Sequence, residues 1–214
     1  MPRPSQHVDL ALLESGRALY PRHGCAGLSV RGLAEHAGVN PGMFHYHFKT
    51  KENFLRTLLG GLYEEMFSGL RIEAAHQGPA IERLQGFVIS LARFLRDHRQ
   101  LIVRVWMDAL AGEPIAEEFL RSNMPRHLAL LTELLAQAER EQAIAPRPEV
   151  QRVVFLLGSA AMPVIFAASL IDAGVAPPTL RSPFTRQVMT DAAIAERVSL
   201  AVHALRMPIE EFPA

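Results

Sequence analysis

Apolar residues recur along most of this chain at the three- and four-residue spacing of amphipathic α-helices. The repeat is clear at 30–37, continues every fourth position at 54–70, and returns at 81–95. From residue 80 onward the only periodicity is helical. Glycine and proline separate the periodic segments, as at Gly78-Pro79. The pattern therefore predicts an all-α protein.

The breaks between the periodic segments set approximate bounds for each helix. A loop is predicted at 176–183, where prolines cluster. Pro125 could kink the helix that contains it, since a proline inside a helix removes a hydrogen bond. The predicted helices are residues 8–23, 30–37, 41–48, 50–75, 80–97, 99–111, 115–142, 149–173 and 190–207.

Residues 29–48 predict two short helices separated by a tight turn. Ser29 is a good N-cap, because its hydroxyl can accept a hydrogen bond from a backbone N–H in the first turn. Gly38 is expected to end that helix, since glycine adopts the left-handed backbone without a steric penalty. Asn40 is a second N-cap, and Pro41 at the first helical position loses no hydrogen bond.

A helix, a short glycine-containing turn and a second helix form the order of a helix-turn-helix unit. In such a unit the second helix enters the major groove of DNA. Phe44 and Phe48 are four positions apart and are expected to anchor one face of that helix in the core. Met43, His45 and Tyr46 are left to face outward. The pattern indicates DNA binding.

The stretch Ser29-Val-Arg-Gly-Leu-Ala-Glu-His-Ala-Gly-Val-Asn-Pro-Gly-Met-Phe-His-Tyr-His-Phe-Lys-Thr-Lys51 resembles the DNA-binding signature of TetR-family transcriptional regulators. The resemblance covers roughly the first quarter of the chain, and its spacing is strict. The family often has a tyrosine where this chain has His45.

The resemblance implies an all-α protein of two domains. A three-helix helix-turn-helix domain would occupy residues 1–52. A long helix at 50–75 would join it to a larger helical domain at 53–214, which binds an effector and forms the dimer. In this family the last two long helices usually build the homodimer interface, which assigns that role to residues 149–173 and 190–207.

Dimerisation also has a physical reason. One short recognition helix contacts too few bases, whereas a two-fold dimer presents two of them to half-sites about one helical turn apart. The expected partners are therefore a second copy of the chain, a double-stranded palindromic operator and a small hydrophobic effector. No cofactor is expected, and the natural compartment is the cytoplasm.

The expected DNA contacts fall into groups by role. Tyr46 and Lys51 would contact the DNA backbone, and Arg31 is a candidate for a base edge together with Met43 and His45. Thr50 is expected to cap the next helix, which places Lys51 in its first turn. A cation there opposes the helix dipole, which makes sense for Lys51 if it faces a phosphate. The expected set is Ser29, Arg31, Asn40, Pro41, Gly42, Met43, His45, Tyr46 and Lys51.

Charge is distributed unevenly along a chain of zero formal net charge. Residues 1–56 contain seven lysines and arginines against four aspartates and glutamates, a net charge of +3, so the remainder carries −3. Five of the nine histidines also lie in residues 1–56. The positive charge coincides with the helix-turn-helix pattern, as nucleic-acid binding requires.

The middle helices are rich in bulky apolar and aromatic side chains that could line a cavity for a hydrophobic effector. The alternative is that they only form the core. Polar groups at Arg104, Asp108 and His127 could face such a pocket or lie on a solvated surface. The candidate ligand-binding set is Phe87, Leu91, Phe94, Trp106, Met107, Leu110, Phe119, Met124, His127, Phe155, Met162 and Phe166.

The sequence contains no catalytic motif that would support an enzyme. It has no His-Glu-x-x-His, phosphate-binding glycine loop or Gly-x-Ser-x-Gly pattern. Cys25 is the single cysteine, which excludes an internal disulfide and any zinc site built from several cysteines. His45 and His47 are two apart and cannot share a metal on one helix face. We therefore expect no metal site and no enzyme.

Three rival interpretations remain. A helical ligand-binding enzyme would show turnover. Residues 153–171 carry no charge and are long enough to span a bilayer, which would suit a membrane-associated protein. Gly158 and Pro163 in that stretch favour a buried or interface helix instead. Within the TetR family, an activator and a repressor are not distinguished by these residues.

Overall fold

The computed structural model describes residues 7–207, and every regular element in that range is helical. The all-α prediction is confirmed. The helices in chain order are α1 Val8–Gly27, α2 Val30–Ala37, α3 Pro41–Phe48, α4 Lys51–Ala75, α5 Ala80–Asp97, α6 Arg99–Leu110, α7 Pro114–Arg140, α8 Glu149–Ala160, a π-helical turn Pro163–Ala167, α9 Ala168–Asp172, α10 Pro178–Val188 and α11 Asp191–Arg206.

The described residues form two compact units. Unit 1 consists of residues 7–65 and 100–124, and unit 2 consists of residues 66–99 and 125–207. Helices α4 and α7 contribute residues to both units. The boundary predicted between residues 52 and 53 remains a prediction, and the outermost residues of both predicted domains lie outside the described range.

The core of unit 1 is built where α1, α2 and α3 pack against one another. Leu12 and Tyr20 of α1, Leu33 of α2 and Phe44 of α3 are fully buried. Phe54 of α4 is also fully buried. Each buried aromatic or leucine side chain contributes about 1.5–3 kcal/mol relative to exposure, so these side chains are a main source of stability for the packing of α1, α2 and α3.

The core of unit 2 is centred on α11, which packs against α5 and α8. Leu84 and Phe87 of α5, Leu156 of α8 and Ile194 and Val198 of α11 are fully buried. Their three- and four-residue spacing within each helix is the pattern that predicted those helices from the sequence.

The helix predicted at 149–173 is interrupted, which corrects the sequence-based expectation. Helix α8 ends at Ala160, and Pro163–Ala167 forms a π-helical turn before α9 begins. Pro163 has no N–H to donate to the preceding turn. The widened turn accommodates this break.

The predicted loop at 176–183 is largely helical, which is a second correction. Helix α10 occupies Pro178–Val188, with Pro177 as N-cap and Pro178 in the first turn. A proline in the first helical turn loses no hydrogen bond and has a backbone angle suited to a helix. Prolines therefore start this helix instead of preventing it.

The stretch Glu149–Asp172 meets the length and composition of a membrane-spanning helix, a test that buried helices of other proteins also pass. Only 39% of its most apolar window is buried in the chain. The expectation of a buried helix is therefore met on one face only. Val150, Val154, Phe155, Phe166 and Leu170 are exposed.

Candidate nucleic-acid interface

Helix α2 begins and ends as its sequence predicts. The hydroxyl of Ser29 accepts a hydrogen bond of 3.0 Å from the backbone N–H of Gly32. Gly38 closes the helix with φ 67° and ψ 28°, in the left-handed region that glycine adopts freely. Its N–H and that of Val39 donate to the last carbonyls of α2, on Glu35 and Ala34. The turn is therefore set by local bonds.

The start of α3 is also capped by a side chain. Oδ1 of Asn40 accepts a hydrogen bond of 2.8 Å from the N–H of Gly42. Pro41 occupies the first turn, where no N–H is required. Three residues thus separate the two helices, Gly38, Val39 and Asn40, which is the turn length of a helix-turn-helix.

One face of α3 is held by an aromatic cluster. Phe44 is fully buried and Phe48 is 8% exposed. The ring centroid of Phe44 lies 5.5 Å from that of Phe48 and 5.3 Å from that of Phe54. Phe48 meets Phe54 edge to face at 4.9 Å. Such pairs add stability beyond their burial, so the orientation of α3 is well determined by this face.

The opposite face of α3 is open to solvent. Tyr46 has 65% of its surface exposed, and His45 is exposed. Met43 is half-buried. The Nδ1 atom of His45 lies 3.2 Å from the carbonyl oxygen of Lys49. The three side chains predicted to face outward therefore share the accessible side of the second helix, although Met43 does so only in part.

Lys49 is a residue that the sequence patterns did not single out. It ends α3 with φ 65° and ψ −55°, a conformation that costs a non-glycine residue about 1–3 kcal/mol. Its ammonium lies 5.7 Å from the centroid of the Tyr46 ring. The backbone geometry thus places a cation beside the exposed tyrosine. A positive φ cannot be recognised from a lysine in the sequence.

Arg31 and Lys51 both have partners within the chain. Nε of Arg31 donates to Oε1 of Glu35 at 2.7 Å, and this bond raises the pKa of the arginine. Lys51 is half-buried, and its Nζ donates to the carbonyl of Ala26 at 3.3 Å. Thr50 caps α4, as the sequence predicted, by accepting from the N–H of Asn53 at 3.1 Å.

A polar contact fixes α2 against α1. The hydroxyl of Ser15 donates to the carbonyl of Ala11 at 2.9 Å, and Nδ1 of His36 lies 3.0 Å from the hydroxyl oxygen of Ser15. A hydroxyl has one proton to donate, so Nδ1 of His36 must carry the proton of the second bond. Ser15 is buried, and the bond therefore sets the ring orientation of His36.

Asp108 of α6 holds the junction between α1 and α2. Its Oδ2 atom accepts bonds from the N–H of Cys25 at 2.7 Å and from the hydroxyl of Tyr20 at 2.8 Å. Its Oδ1 atom lies 2.8 Å from Nη2 of Arg104. Asp108 is 3% exposed, which excludes the solvated-surface alternative for it, whereas a role in a ligand pocket remains a prediction. It is a buried anchor of unit 1 and not a solvated surface group.

Opposing effects act on the ionisation of this cluster. Burial alone would raise the pKa of Asp108, but the bonds from Cys25, Tyr20 and Arg104 outweigh it and hold that pKa below its ordinary value. Burial raises the pKa of the Cys25 thiol to about 11. Burial also raises the pKa of Tyr20. At neutral pH the aspartate is therefore charged while the thiol and phenol are neutral.

The candidate ligand-binding residues are distributed over both units, and their role remains a prediction. Leu110 at the end of α6 has 86% of its surface exposed. Among residues 7–207, no group of three or more His, Cys, Asp or Glu side chains is placed to hold a metal ion. Phe87 and Leu91 are buried, Phe94, Trp106, Phe119, His127 and Met162 are half-buried, and Met107, Leu110, Met124, Phe155 and Phe166 are exposed.

These features define a class of protein. An all-α chain with a capped helix, a three-residue turn and a second helix whose aromatic face is buried is a helix-turn-helix protein. Residues 12–58 match the family model described as "Bacterial regulatory proteins, tetR family". The matched residues include all of α2 and α3.

Relatives agree with that match. The chain is 31% identical over 93 residues to the HTH-type transcriptional repressor KstR2 of Mycobacterium tuberculosis, which is 43% of this chain and 46% of that protein. The match thus spans about half the length of that relative. Residues 12–58 are therefore similar to the N-terminal domain of the tetR family of bacterial regulatory proteins.

Solved structures share the fold over nearly the whole chain. A transcriptional regulator of Pseudomonas aeruginosa PAO1 has a TM-score of 0.68 at 20% identity, covering 95% of this chain and 92% of its own. FadR from Bacillus subtilis, solved with stearoyl-CoA, has a TM-score of 0.64 at 14% identity, covering 94% and 99%. At these identities the similarity extends to the fold alone.

Proposed function

We propose that this chain is a cytoplasmic transcriptional regulator that binds a palindromic DNA operator as a homodimer. The observation that carries the proposal is the geometry of α3: its aromatic face is buried, while His45 and Tyr46 on its other face are open to solvent. A helix anchored in this way can enter a major groove without losing its own core.

The local electrostatics favour a nucleic-acid partner. The +3 charge of residues 1–56 lies in the segment that contains the helix-turn-helix. Lys49 is exposed at the end of α3, next to Tyr46. We assign phosphate contacts to Lys49, Tyr46 and Lys51. Lys51 would have to exchange its bond to the carbonyl of Ala26 for one to a phosphate.

Base-edge contacts are proposed for Arg31, Met43 and His45. Arg31 is exposed and its partner Glu35 lies on the solvent side of α2. An exposed ion pair contributes little to stability, so a guanine can compete for the guanidinium at small cost. Ser29 and Asn40 lie at the helix N-termini, where backbone N–H groups favour phosphate.

The homodimer is proposed to form through α8 and α11. In the single chain, these two helices expose apolar side chains: Val150, Val154 and Phe155 of α8 and Leu200 of α11. Apolar surface on consecutive helical turns is characteristic of a protein–protein interface. A second copy would cover this surface and place two recognition helices about one turn of DNA apart.

The proposed effector is a small apolar molecule that binds among the middle helices. The FadR structure from Bacillus subtilis contains stearoyl-CoA, an acyl compound bound by that protein. An effector would release this chain from DNA by preferring a dimer whose recognition helices no longer match the half-site spacing. Such a shift requires only different affinities for the two states.

Repression is the proposed outcome at the operator, since the relative KstR2 is named a repressor. An operator fused to a reporter distinguishes the two outcomes. A repressor lowers transcription when the protein is added and an effector restores it. A rise in transcription on adding the protein would identify an activator of the same family.

The test of DNA recognition is selection from random duplexes by the purified protein. We expect a palindrome, whose affinity falls by at least about tenfold in Tyr46→Ala, the loss of one charge-assisted phosphate contact. Met107→Ala, which trims a side chain that is 57% exposed on α6, is the matched control. A folded protein that selects no sequence at low salt would refute the proposal.

A further inference from the structure

A cavity of about 230 Å³ that is partly open to solvent lies in unit 2, bounded by the end of α5, the start of α6, α9 and α10. Water occupies about 30 Å³ per molecule in the liquid, so the cavity has room for roughly eight waters or one small organic molecule. Its residues are distinct from the candidate set predicted for an apolar effector.

One wall of the cavity is an ion pair with unused bonding capacity. Nε and Nη2 of Arg99 both lie within 2.9 Å of Oδ2 of Asp172, and Nη1 donates to the carbonyl of Arg96 at 3.2 Å. A guanidinium has five N–H groups, so two remain available on Arg99. The Oδ1 atom of Asp172 accepts no hydrogen bond from the described residues.

The neighbouring arginine differs, because its bonds are nearly saturated. Arg96 donates to both oxygens of Asp97, to Oδ1 of Asp191 and to the carbonyl of Met189. Four of its five N–H groups are therefore occupied. Arg96 and Asp97 frame the cavity, whereas Arg99 and Asp172 offer free donors and a free acceptor side by side.

The rest of the lining is apolar. Ile171 of α9 is 8% exposed, and Phe184 of α10 is half-buried. Met189 follows the end of α10. These side chains would cover the hydrocarbon part of a ligand and remove it from water. The cavity thus combines one donor–acceptor pair with one apolar wall.

The formal charges of the lining cancel. The two positive charges of Arg96 and Arg99 equal the two negative charges of Asp97 and Asp172. A ligand with a net charge would therefore be repelled by the lining groups that have the same sign. A ligand whose own charges also cancel, with its cation and anion on neighbouring atoms, matches both members of the Arg99–Asp172 pair. An α-amino acid has this arrangement, because its ammonium and carboxylate groups are attached to the same carbon.

We propose that this cavity binds a free amino acid with an apolar side chain of medium size. The ligand's carboxylate accepts the two available N–H groups of Arg99, and its ammonium donates to Oδ1 of Asp172. Its side chain lies against Ile171, Phe184 and Met189. Bidentate contacts between a guanidinium and a carboxylate are among the strongest hydrogen bonds in proteins.

Helix α10 would act as the cover of the bound ligand. None of its residues is buried, although Phe184 lines the cavity. Pro183 inside the helix lacks the N–H that would bond to the preceding turn. A helix with so little burial opens at low cost, so a ligand can enter and then be covered by it.

The first test uses the full-length protein without DNA, and it therefore does not depend on operator recognition. L-Phenylalanine and L-leucine are titrated by calorimetry, and saturable binding is expected. 3-Phenylpropanoate lacks the ammonium and 2-phenylethylamine lacks the carboxylate, so each should bind at least about tenfold more weakly than L-phenylalanine. The proposal would be overturned if either analogue bound as tightly as L-phenylalanine, or if neither amino acid bound.

The second test compares two carboxylates, one in the cavity lining and one outside it. Asp172→Asn keeps the side-chain shape but removes the charge that faces the ammonium, and should weaken L-phenylalanine binding by about tenfold or more. Glu133→Gln is the matched control, since it also replaces a carboxylate of an ion pair by an amide but lies outside the cavity lining. Unchanged affinity in a folded Asp172→Asn protein would remove Asp172 from the site. The analogue series on the unaltered protein decides the matter if that variant fails to fold.

Discussion

The hydroxyl of Tyr20 donates a hydrogen bond of 2.8 Å to Oδ2 of Asp108, although 88 positions separate the two residues in the chain. The same oxygen accepts from the backbone N–H of Cys25. A single buried carboxylate therefore ties the last turns of α1 to α6. The orientation of the helix-turn-helix depends on this contact, because α2 begins five residues after Cys25.

Asp108→Asn should destabilise the protein by about 2 kcal/mol at pH 7, since it removes a charged acceptor from a buried cluster. The pKa of Asp108 is lowered by folding. Its contribution is therefore present above the ordinary carboxylate range and is lost as the pH falls below about 4 through the folded-state pKa. The difference between variant and parent should shrink with acidity.

Denaturant unfolding at pH 7 and at pH 3.5 measures this difference. Asp97→Asn is a suitable control, because Asp97 is exposed and, among residues 7–207, forms its ion pair with its neighbour Arg96. If Asp108→Asn loses the same stability at both pH values, the charge on Asp108 is not the source of its effect.

Gly24→Ala should cost about 1–3 kcal/mol of stability. Gly24 has φ 62° and ψ −169°, and a Cβ atom there would collide with the guanidinium of Arg104. Gly27→Ala is the matched control in the same helix, because its Cβ would meet only the Cβ of His23 at an ordinary 3.5 Å. Thermal unfolding of both variants measures the loss of stability. An equal loss in Gly24→Ala and Gly27→Ala would show that alanine is not strained at position 24.

The thiol of Cys25 should resist modification in the folded protein. It is 2% exposed and burial raises its pKa to about 11, so almost none of it is thiolate at pH 7.5. A disulfide reagent such as Ellman's reagent should react at the rate of unfolding, and at once in denaturant. Rapid stoichiometric reaction of the folded protein would show that the α1–α2 junction opens far more often than its packing indicates.

Lys51→Ala should reduce the slope of log affinity for the operator against log salt concentration by about one. The reason is the loss of one phosphate contact and its released counterion. Arg140→Ala removes the same charge from an exposed ion pair with Glu133 on α7, and should leave the slope unchanged. If Lys51→Ala has the same slope as Arg140→Ala, Lys51 does not contact a phosphate, and its role is limited to the hydrogen bond with the carbonyl of Ala26.

Leu200→Glu should raise the dissociation constant of the dimer by at least about tenfold. Leu200 is 65% exposed on α11, and burying a new carboxylate in an apolar interface without a partner is unfavourable. Val175→Glu provides the control, since Val175 is 73% exposed but lies outside α8 and α11. Sedimentation equilibrium distinguishes the two variants. An unchanged dissociation constant for Leu200→Glu would show that this face of α11 does not form the dimer interface.

The sequence predicted those parts of the molecule that depend on neighbours along the chain. Ser29, Asn40 and Thr50 accept bonds from residues two or three positions later, and all three caps were predicted. Local patterns failed near prolines. Pro163 is accommodated in a π-helical turn, and Pro178 starts a helix where a loop was expected.

The sequence by itself thus determined the helices, the helix-turn-helix and its resemblance to a family, because each depends on a periodicity or a spacing of a few residues. Only the tertiary structure decided that Asp108 is buried beside Tyr20, and that Arg99 meets Asp172 across 73 positions. Contacts of that kind depend on how helices pack. A charged residue has the same appearance in a sequence whether it meets solvent or a buried partner.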